Sequence, residues 1–526
     1  MATSPLASTS PASSEAAPYA RRWWALGVLA LSLVLIGLDN TILNVALPTL
    51  VREVEATNSQ LQWIIDSYVL VFAGLLLTAG SLGDRFGRKG ALNFGLSVFL
   101  AGALASAFAD TANQLIATRA LMGIGGAFIM PSTLSILTNM FPPHERGRAI
   151  GIWAGMAGVG IPLGPLLGGY LLEHFHWSSI FYVNVPIVLA ALALGLWLLP
   201  TSRDPGAPRV DVPGAVLSMA GLSALIYGII EAPLHGWTAG ATLAALGAGL
   251  AFLAAFGWWE TRTREPMLDM RFFRNPRFSA ANASITLVFF AMFGSLLSLT
   301  QYLQFILGYT PFEAGIRMLP MALGLLVGGP LSARLDERLG SKVVVTAGLV
   351  VVATGLLMLS RLDTESGYIG VVGALFVMAT GMGLSMAPST ESVMGSIPRS
   401  KAGVGSAMND TTRQVGGALG VAIIGSIMSS AYRSDITSAT AGLPAEAATA
   451  ATDSLGAALH IAAGLGAGGD ALATAARTAF VNAMEMGLTA GALVALGGAV
   501  VAAIFLPATG VDAGEDFAEP ARGRRG

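Results

Sequence analysis

The sequence contains no cysteine, so disulfide bridges, iron–sulfur clusters, thiolate metal sites and cysteine nucleophiles are all excluded. Lysine occurs only at Lys89, Lys342 and Lys401, and none of the three follows a glycine. The phosphate-cradling loop G-x-x-x-x-G-K-[ST] is therefore absent, which argues against ATP-driven work by this chain alone. Histidines at 144, 174, 176, 235 and 460 are scattered along predicted loops and offer no ligand pair on a helix for a metal. Charge of either sign is scarce: 11% of the 526 residues are charged, against about 25% in a soluble domain. A formal net charge of −2 gives no electrostatic handle for nucleic acid.

What is abundant is apolar. Hydrophobic residues make up 54% of the chain, and the mean hydropathy is +0.67. Long, nearly uncharged runs recur from end to end, each close to the roughly 20 residues that cross a bilayer as a helix. Breaking them at charge and Pro/Gly clusters predicts an all-α polytopic membrane protein with fourteen spans, α1 to α14. These fall at 24–47, 61–82, 91–109, 113–139, 148–172, 178–199, 211–231, 239–259, 278–305, 313–333, 342–360, 368–393, 403–431 and 479–506.

An even number of spans puts both termini on one side, and basic residues choose the side. Of the 29 Lys plus Arg, 22 fall in the termini and loops on the amino-terminal side of the predicted membrane. Five lie on the opposite side (Arg52, Arg317, Arg361, Arg433 and Arg477), and only Arg119 and Arg413 lie within spans. The expected arrangement is multi-pass with both termini cytoplasmic. Residues 1–22, rich in Ser, Ala and Pro, read as a disordered cytoplasmic amino terminus, and 508–526 as a cytoplasmic tail.

The chain repeats itself. LGDRFGRK at 82–89 matches LDERLGSK at 335–342, and MPSTLSI at 130–136 matches APSTESV at 387–393. The offset equals eight spans, so two six-helix halves flank a central pair. The expected domains are a bundle at 23–200, two linker helices at 201–262, and a second bundle at 263–507 with an outer loop at 432–478. That loop reads either as a short hairpin around LGAALHIAAGLGAGG or as a plain linker. Parallel repeats of this kind make transporters, with the substrate path between the halves.

Three ionisable residues fall in the outer half of the first bundle: Asp39 in α1, Asp66 in α2 and Arg119 in α4. At 1.5 Å per residue, Asp39 stands about 22 Å from the predicted start of its span. Such residues inside a membrane are functional by default. The competing reading for Asp39 is an ion pair with Arg119 that only ties helices together, for Asp66 a wetted helix end, and for Arg119 snorkelling to the outer interface. A carboxylate exposed alternately to desolvation and to an arginine changes its proton affinity, as a proton carrier must. Weaker candidates for substrate-binding acids are Glu231, Glu391, Asp410 and Glu485; for Asp410 an intrahelical pair with Arg413 is the simpler explanation.

Between α2 and α3, GSLGDRFGRK (80–89) combines turn-permitting Gly83 and Gly87 with Asp84, Arg85 and Arg88. In α5, GVGIPLGPLLGG (158–169) spaces Gly160, Gly164 and Gly168 by four around Pro165, a smooth face for close helix approach. The first segment resembles the loop signature of the major facilitator superfamily, and the second its antiporter signature. LDNTILNVALP (38–48) resembles the helix-1 motif of that superfamily's fourteen-helix drug:proton antiporters, and RALMGIGGAF (119–128) its helix-4 arginine motif. HWSSIFYVNVP (176–186) resembles the family's entry to α6 but departs from it at Ser178 and Ser179, and no role is assigned to it.

The resemblance implies a major facilitator fold of two six-helix bundles plus two linker helices in a bacterial cytoplasmic membrane. It implies a cytoplasmic gating latch centred on Asp84 and Arg88, and proton-driven export of drugs or other lipophilic, often cationic, small molecules. The expected partners are those small-molecule drugs or metabolites, protons and membrane lipid, with no cofactor, no enzymatic activity and a monomeric state. A dedicated exporter of one antibiotic or metabolite is the main alternative. An uptake symporter is disfavoured by the α5 signature, and a non-transporting sensor by the intramembrane charges and the duplication.

Overall fold

The computed structural model describes residues 20–54, 58–204, 206 and 210–507. The predicted termini before 20 and after 507, with Arg209, Arg522, Arg524 and Arg525, lie outside the described residues. Among the described residues there is no strand, and fourteen helices are long and apolar enough to cross a membrane. They are α1 (Arg22–Leu43), α2 (Gln60–Phe86), α3 (Arg88–Ala107), α4 (Ala112–Met140), α5 (Pro143–His174), α6 (Ser179–Leu198) and α7 (Val212–His235). The remainder are α8 (Gly240–Glu260), α9 (Pro276–Ile306), α10 (Phe312–Leu339), α11 (Ser341–Ser360), α12 (Tyr368–Gly395), α13 (Arg399–Thr440) and α14 (Asp470–Phe505). Each predicted span corresponds to one of these helices.

The duplication reappears as packing. In the first half α1 lies against α5, α2 against α4, and α3 against α4. In the second half the counterparts eight helices later do the same: α9 against α13, α10 against α12, and α11 against α12. The halves meet along two equivalent seams, α2 with α13 and α5 with α10. The linker helix α7 packs on α2 and α13, covering the first seam, while α8 packs chiefly on α7.

The α2–α3 connection corrects one expectation. Gly83 is not a turn residue: α2 runs on through it to Phe86, and the break is made at Gly87 alone, with φ +114°. The repeat copies the device at Gly340, with φ +79°, between α10 and α11. Only glycine takes this backbone region without a steric penalty. The outer segment is also helical, not a plain linker. It contains the short helices Ala445–Asp453 and Leu455–Gly464. The Tyr432 hydroxyl donates to the Ala451 carbonyl at 3.2 Å, and Arg433 pairs with Asp453 at 2.9 Å.

The α5 glycines bring α1 and α5 into backbone contact. A Cβ at Gly160 would stand 2.8 Å from the Val34 carbonyl oxygen and 2.9 Å from the Gly37 Cα. One at Gly164 would collide with the Thr41 hydroxyl and lie 2.7 Å from the Ile42 nitrogen, and one at Gly168 would lie 2.9 Å from Ile42 Cγ1. Pro165 faces the other half instead: a Cβ at Gly315 of α10 would stand 3.1 Å from its Cβ. Nearer the other end of α5, Gly151 meets the Gly329 carbonyl of α10 in the same way. Without a water-driven force between helices in lipid, contacts this close carry much of the association energy.

Gly164→Val should therefore lower stability by about 1–3 kcal/mol through overpacking, read as a lower unfolding temperature of the purified protein in detergent. Gly247→Val, at a position with no neighbouring atom within 4 Å, should leave that temperature unchanged. Equal effects at the two positions would contradict the packing account.

Candidate functional site

Four helices converge on Asp39. Its Oδ2 accepts from Arg119 Nη1 of α4 at 2.6 Å, and the two side chains are 1% and 2% exposed. Its Oδ1 accepts from Asn184 Nδ2 of α6 at 3.4 Å. The Arg119 guanidinium stacks 4.4 Å from the Tyr68 ring centre on α2, and its Nε donates to the Ile64 carbonyl at 3.4 Å. Charge, ring and backbone together hold this cation at full burial, which an unpaired arginine would not tolerate.

Asp66 does not join that pair. It sits half-buried on α2, where Gln62 hydrogen-bonds to it and its electrostatic neighbour is Glu231 of α7. The shared depth expected for Asp39, Asp66 and Arg119 thus resolves into one ion pair and one separate carboxylate beside the linker helix.

The α2–α3 turn closes one end of the bundle. Asp84 is 2% exposed and receives Arg88 Nε at 2.8 Å and Nη2 at 2.6 Å. The same carboxylate accepts the backbone N–H groups of Gly403 at 2.8 Å and Val404 at 3.1 Å, at the start of the α13 helix. A helix amino terminus presents free N–H groups and positive dipole, so it binds a carboxylate directly. Arg88 completes the tie by donating to the carbonyls of Arg399 and Ser400, both at 2.9 Å. Arg85 stands over the Phe86 ring, 5.2 Å from its centre. The α6–α7 linker is stitched to the same turn: the Asp204 N–H donates to the Asp84 carbonyl at 2.7 Å, and Lys401 approaches the Asp204 carboxylate at 3.8 Å.

Between the halves lies a cavity of about 80 Å³, lined by Asn40 and Thr41 of α1, Phe289 and Met292 of α9, and Arg413 and Gln414 of α13, among others. Asn40 and Thr41 follow Asp39 in sequence, so α1 turns Asp39 towards α4 and α6 and its next residues towards the cavity. None of the four weaker candidate acids lines it. Glu231 holds His235 at 2.7 Å, Glu485 meets Arg361 at 3.5 Å, and Glu391 reaches Arg146 of the other half at 3.9 Å. Asp410 is buried with Arg413 at 3.9 Å, the pairing expected from their spacing.

Sequence reasoning missed Asn184 and Tyr68. Asn184 lies in the HWSSIFYVNVP segment to which no role was assigned; its signal was an amide opening an otherwise apolar span. Tyr68 follows Asp66 by two residues, and only helix packing reveals that it serves Arg119 and not Asp66.

Removing Arg119 leaves a buried carboxylate uncompensated, at a cost of about 3–5 kcal/mol in comparable buried pairs. Arg119→Gln should lower the unfolding temperature sharply, and adding Asp39→Asn should recover most of the loss. A double variant as unstable as the sum of the two single ones would show that the pair is not coupled.

Comparison with known proteins places the chain in a family. The family description "Major Facilitator Superfamily" matches residues 29–421. The chain is 36% identical over 486 residues to the multidrug efflux pump LfrA of Mycolicibacterium smegmatis, covering 92% of this chain and 96% of that one. It is 34% identical over 479 residues to the methyl viologen resistance protein SmvA of Salmonella typhimurium, covering 89% and 95%. It is 35% identical over 415 residues to the tetracenomycin C resistance and export protein of Streptomyces glaucescens, covering 78% and 76%. A crystal structure of the human organic anion transporter TETRAN superposes with a TM-score of 0.59 at 13% identity, covering 91% of this chain and 99% of that one, which speaks to the fold alone. The chain belongs to the major facilitator superfamily.

Proposed function

We propose that this protein is a proton-coupled antiporter that exports lipophilic small molecules, drugs among them, across a bacterial cytoplasmic membrane. The observation that carries the reading is the buried Asp39–Arg119 pair, one residue along α1 from side chains that line the cavity between the halves. The relatives whose names describe efflux and resistance support export of drugs or metabolites. In this reading both termini are cytoplasmic, the bundles are 23–200 and 263–507, and 201–262 is the linker pair. The protein acts as a monomer in lipid, without cofactor or catalysis.

The cycle follows from electrostatics. With Asp39 ionised, Arg119 and Asn184 hold it, tying α1 to α4 and α6. A proton arriving from outside neutralises the carboxylate and removes the attraction. Because α1 rides on the glycine face of α5, and α5 forms a seam with α10, loosening α1 changes the seam that borders the cavity. Loss of the proton to the cytoplasm restores the tie. Each inward proton crossing 100 mV supplies about 2.3 kcal/mol. Asp84 and Arg88 act as the cytoplasmic latch, which must open once per cycle because it bridges both halves. Asp66, beside the linker helix, is the second acid available to the pathway.

Cells expressing the protein should expel ethidium or a neutral drug faster than control cells, and a protonophore should abolish the difference. Asp39→Asn should abolish efflux while the protein remains in the membrane. Protonophore-insensitive efflux, or undiminished transport by the variant, would overturn the reading.

A further inference from the structure

Arg119 and Arg413 are both buried inside spans, away from the helix ends, and they are held very differently. Arg119 is locked by its 2.6 Å contact with Asp39. Arg413 is 3% exposed yet poorly compensated: Asp410 Oδ1 stands 3.9 Å from its Nη1, beyond hydrogen-bond reach. Its Nη2 makes one long contact, 3.4 Å to Thr390 Oγ1, and its Nε has no partner. A buried donor left unmade is costly, and a guanidinium carries five.

The poorly paired edge is the one that binds carboxylates elsewhere in this chain. Arg22 uses Nε and Nη2 to hold both oxygens of Glu145, at 2.6 and 2.9 Å. Arg88 turns the same edge to Asp84. In Arg413 that edge is vacant apart from Thr390, and the residue lines the central cavity. Its guanidinium also stands 4.6 Å from the Trp153 ring centre on α5 and 5.2 Å from that of Phe289 on α9, so aromatic faces from both halves flank it. Among the described residues lining the cavity Arg413 is the charged one, and no carboxylate accompanies it there.

We infer that Arg413 anchors the substrate's acidic group, and that the site favours planar aromatic compounds bearing a carboxylate or phenolate over organic cations. The inference rests on the efflux reading and narrows it. The substrate's anionic oxygens accept from Nε and Nη2 while Nη1 stays beside Asp410, and its ring system lies against Phe289 and Met292. The cavity is small as it stands, so binding such a compound requires the halves to part at the α5–α10 seam.

The test uses the full-length protein in lipid nanodiscs and two planar dyes of opposite charge, fluorescein and ethidium, titrated by fluorescence anisotropy. Wild type should bind fluorescein more tightly than ethidium. Arg413→Gln should weaken fluorescein roughly tenfold or more, as loss of a charge-assisted fork does, without weakening ethidium. Arg413→Lys, which keeps the charge but not the fork, should fall between. Tighter binding of ethidium by wild type, no fluorescein binding, or equal loss of both dyes in a variant that unfolds at the wild-type temperature would each overturn the assignment. Should Arg413→Gln fail to fold, the lysine variant carries the same comparison. Protonophore-sensitive ethidium efflux without fluorescein binding would sink this assignment and leave export standing. Fluorescein binding without transport of any dye would do the reverse.

Discussion

A carboxylate and a guanidinium in hydrocarbon are each intolerable alone and stable only together, and much of the first bundle is arranged around that fact. Asp39 and Arg119 meet at 2.6 Å with both side chains shut away from solvent. To bring them together, α1 must face α4, α2 must supply the Tyr68 ring, and α6 must open with Asn184 against the carboxylate. Desolvation of such ions costs several kcal/mol each even after relaxation. A membrane protein that keeps this pair at its centre therefore gains something other than stability, and reversible protonation is the use proposed for it.

The glycines of α5 turn that local pair into a mechanical one. Their close approach to Gly37, Thr41 and Ile42 makes α1 and α5 a single layer at the level of Asp39. The neighbouring face of α5 meets α10 through Gly151, Gly329 and Gly315. A change in how α1 is held thus lies one helix away from the seam between the halves. At the other end, Asp84 grips the amino terminus of α13 and Arg88 its preceding carbonyls. Both contacts cross between halves, whereas the Asp39–Arg119 pair lies within the first half alone.

The second half carries the same packing plan with different chemistry. Its pairings copy those of the first eight helices earlier, and Gly340 copies Gly87. Its buried arginine Arg413 nevertheless lines the cavity with its Nε unpaired, where Arg119 is held by Asp39 at 2.6 Å. The two halves share backbone packing but differ in their buried charges, so one scaffold carries both a tight ion pair and a loosely paired arginine beside the cavity.

Composition and spacing alone determined the class, the fourteen spans, the repeat and the candidacy of Asp39 and Arg119. Hydrocarbon demands long uncharged runs and makes every interior charge conspicuous, so these features are written in one dimension. The sequence also showed the glycine spacing of α5, because a face repeats every four residues. It did not show which helix that face meets, nor that Gly83 is helical while Gly87 makes the break. Asp66 shared the outer half with Asp39 because depth along a span is legible in sequence, whereas rotation about its axis relative to neighbours is not. The same limit hid the roles of Asn184 and Tyr68, and concealed that Arg413 beside the cavity leaves its Nε unpaired. Those facts depend on which helices touch, and in a bilayer that is decided by side-chain fit between helices remote in sequence and not by hydropathy.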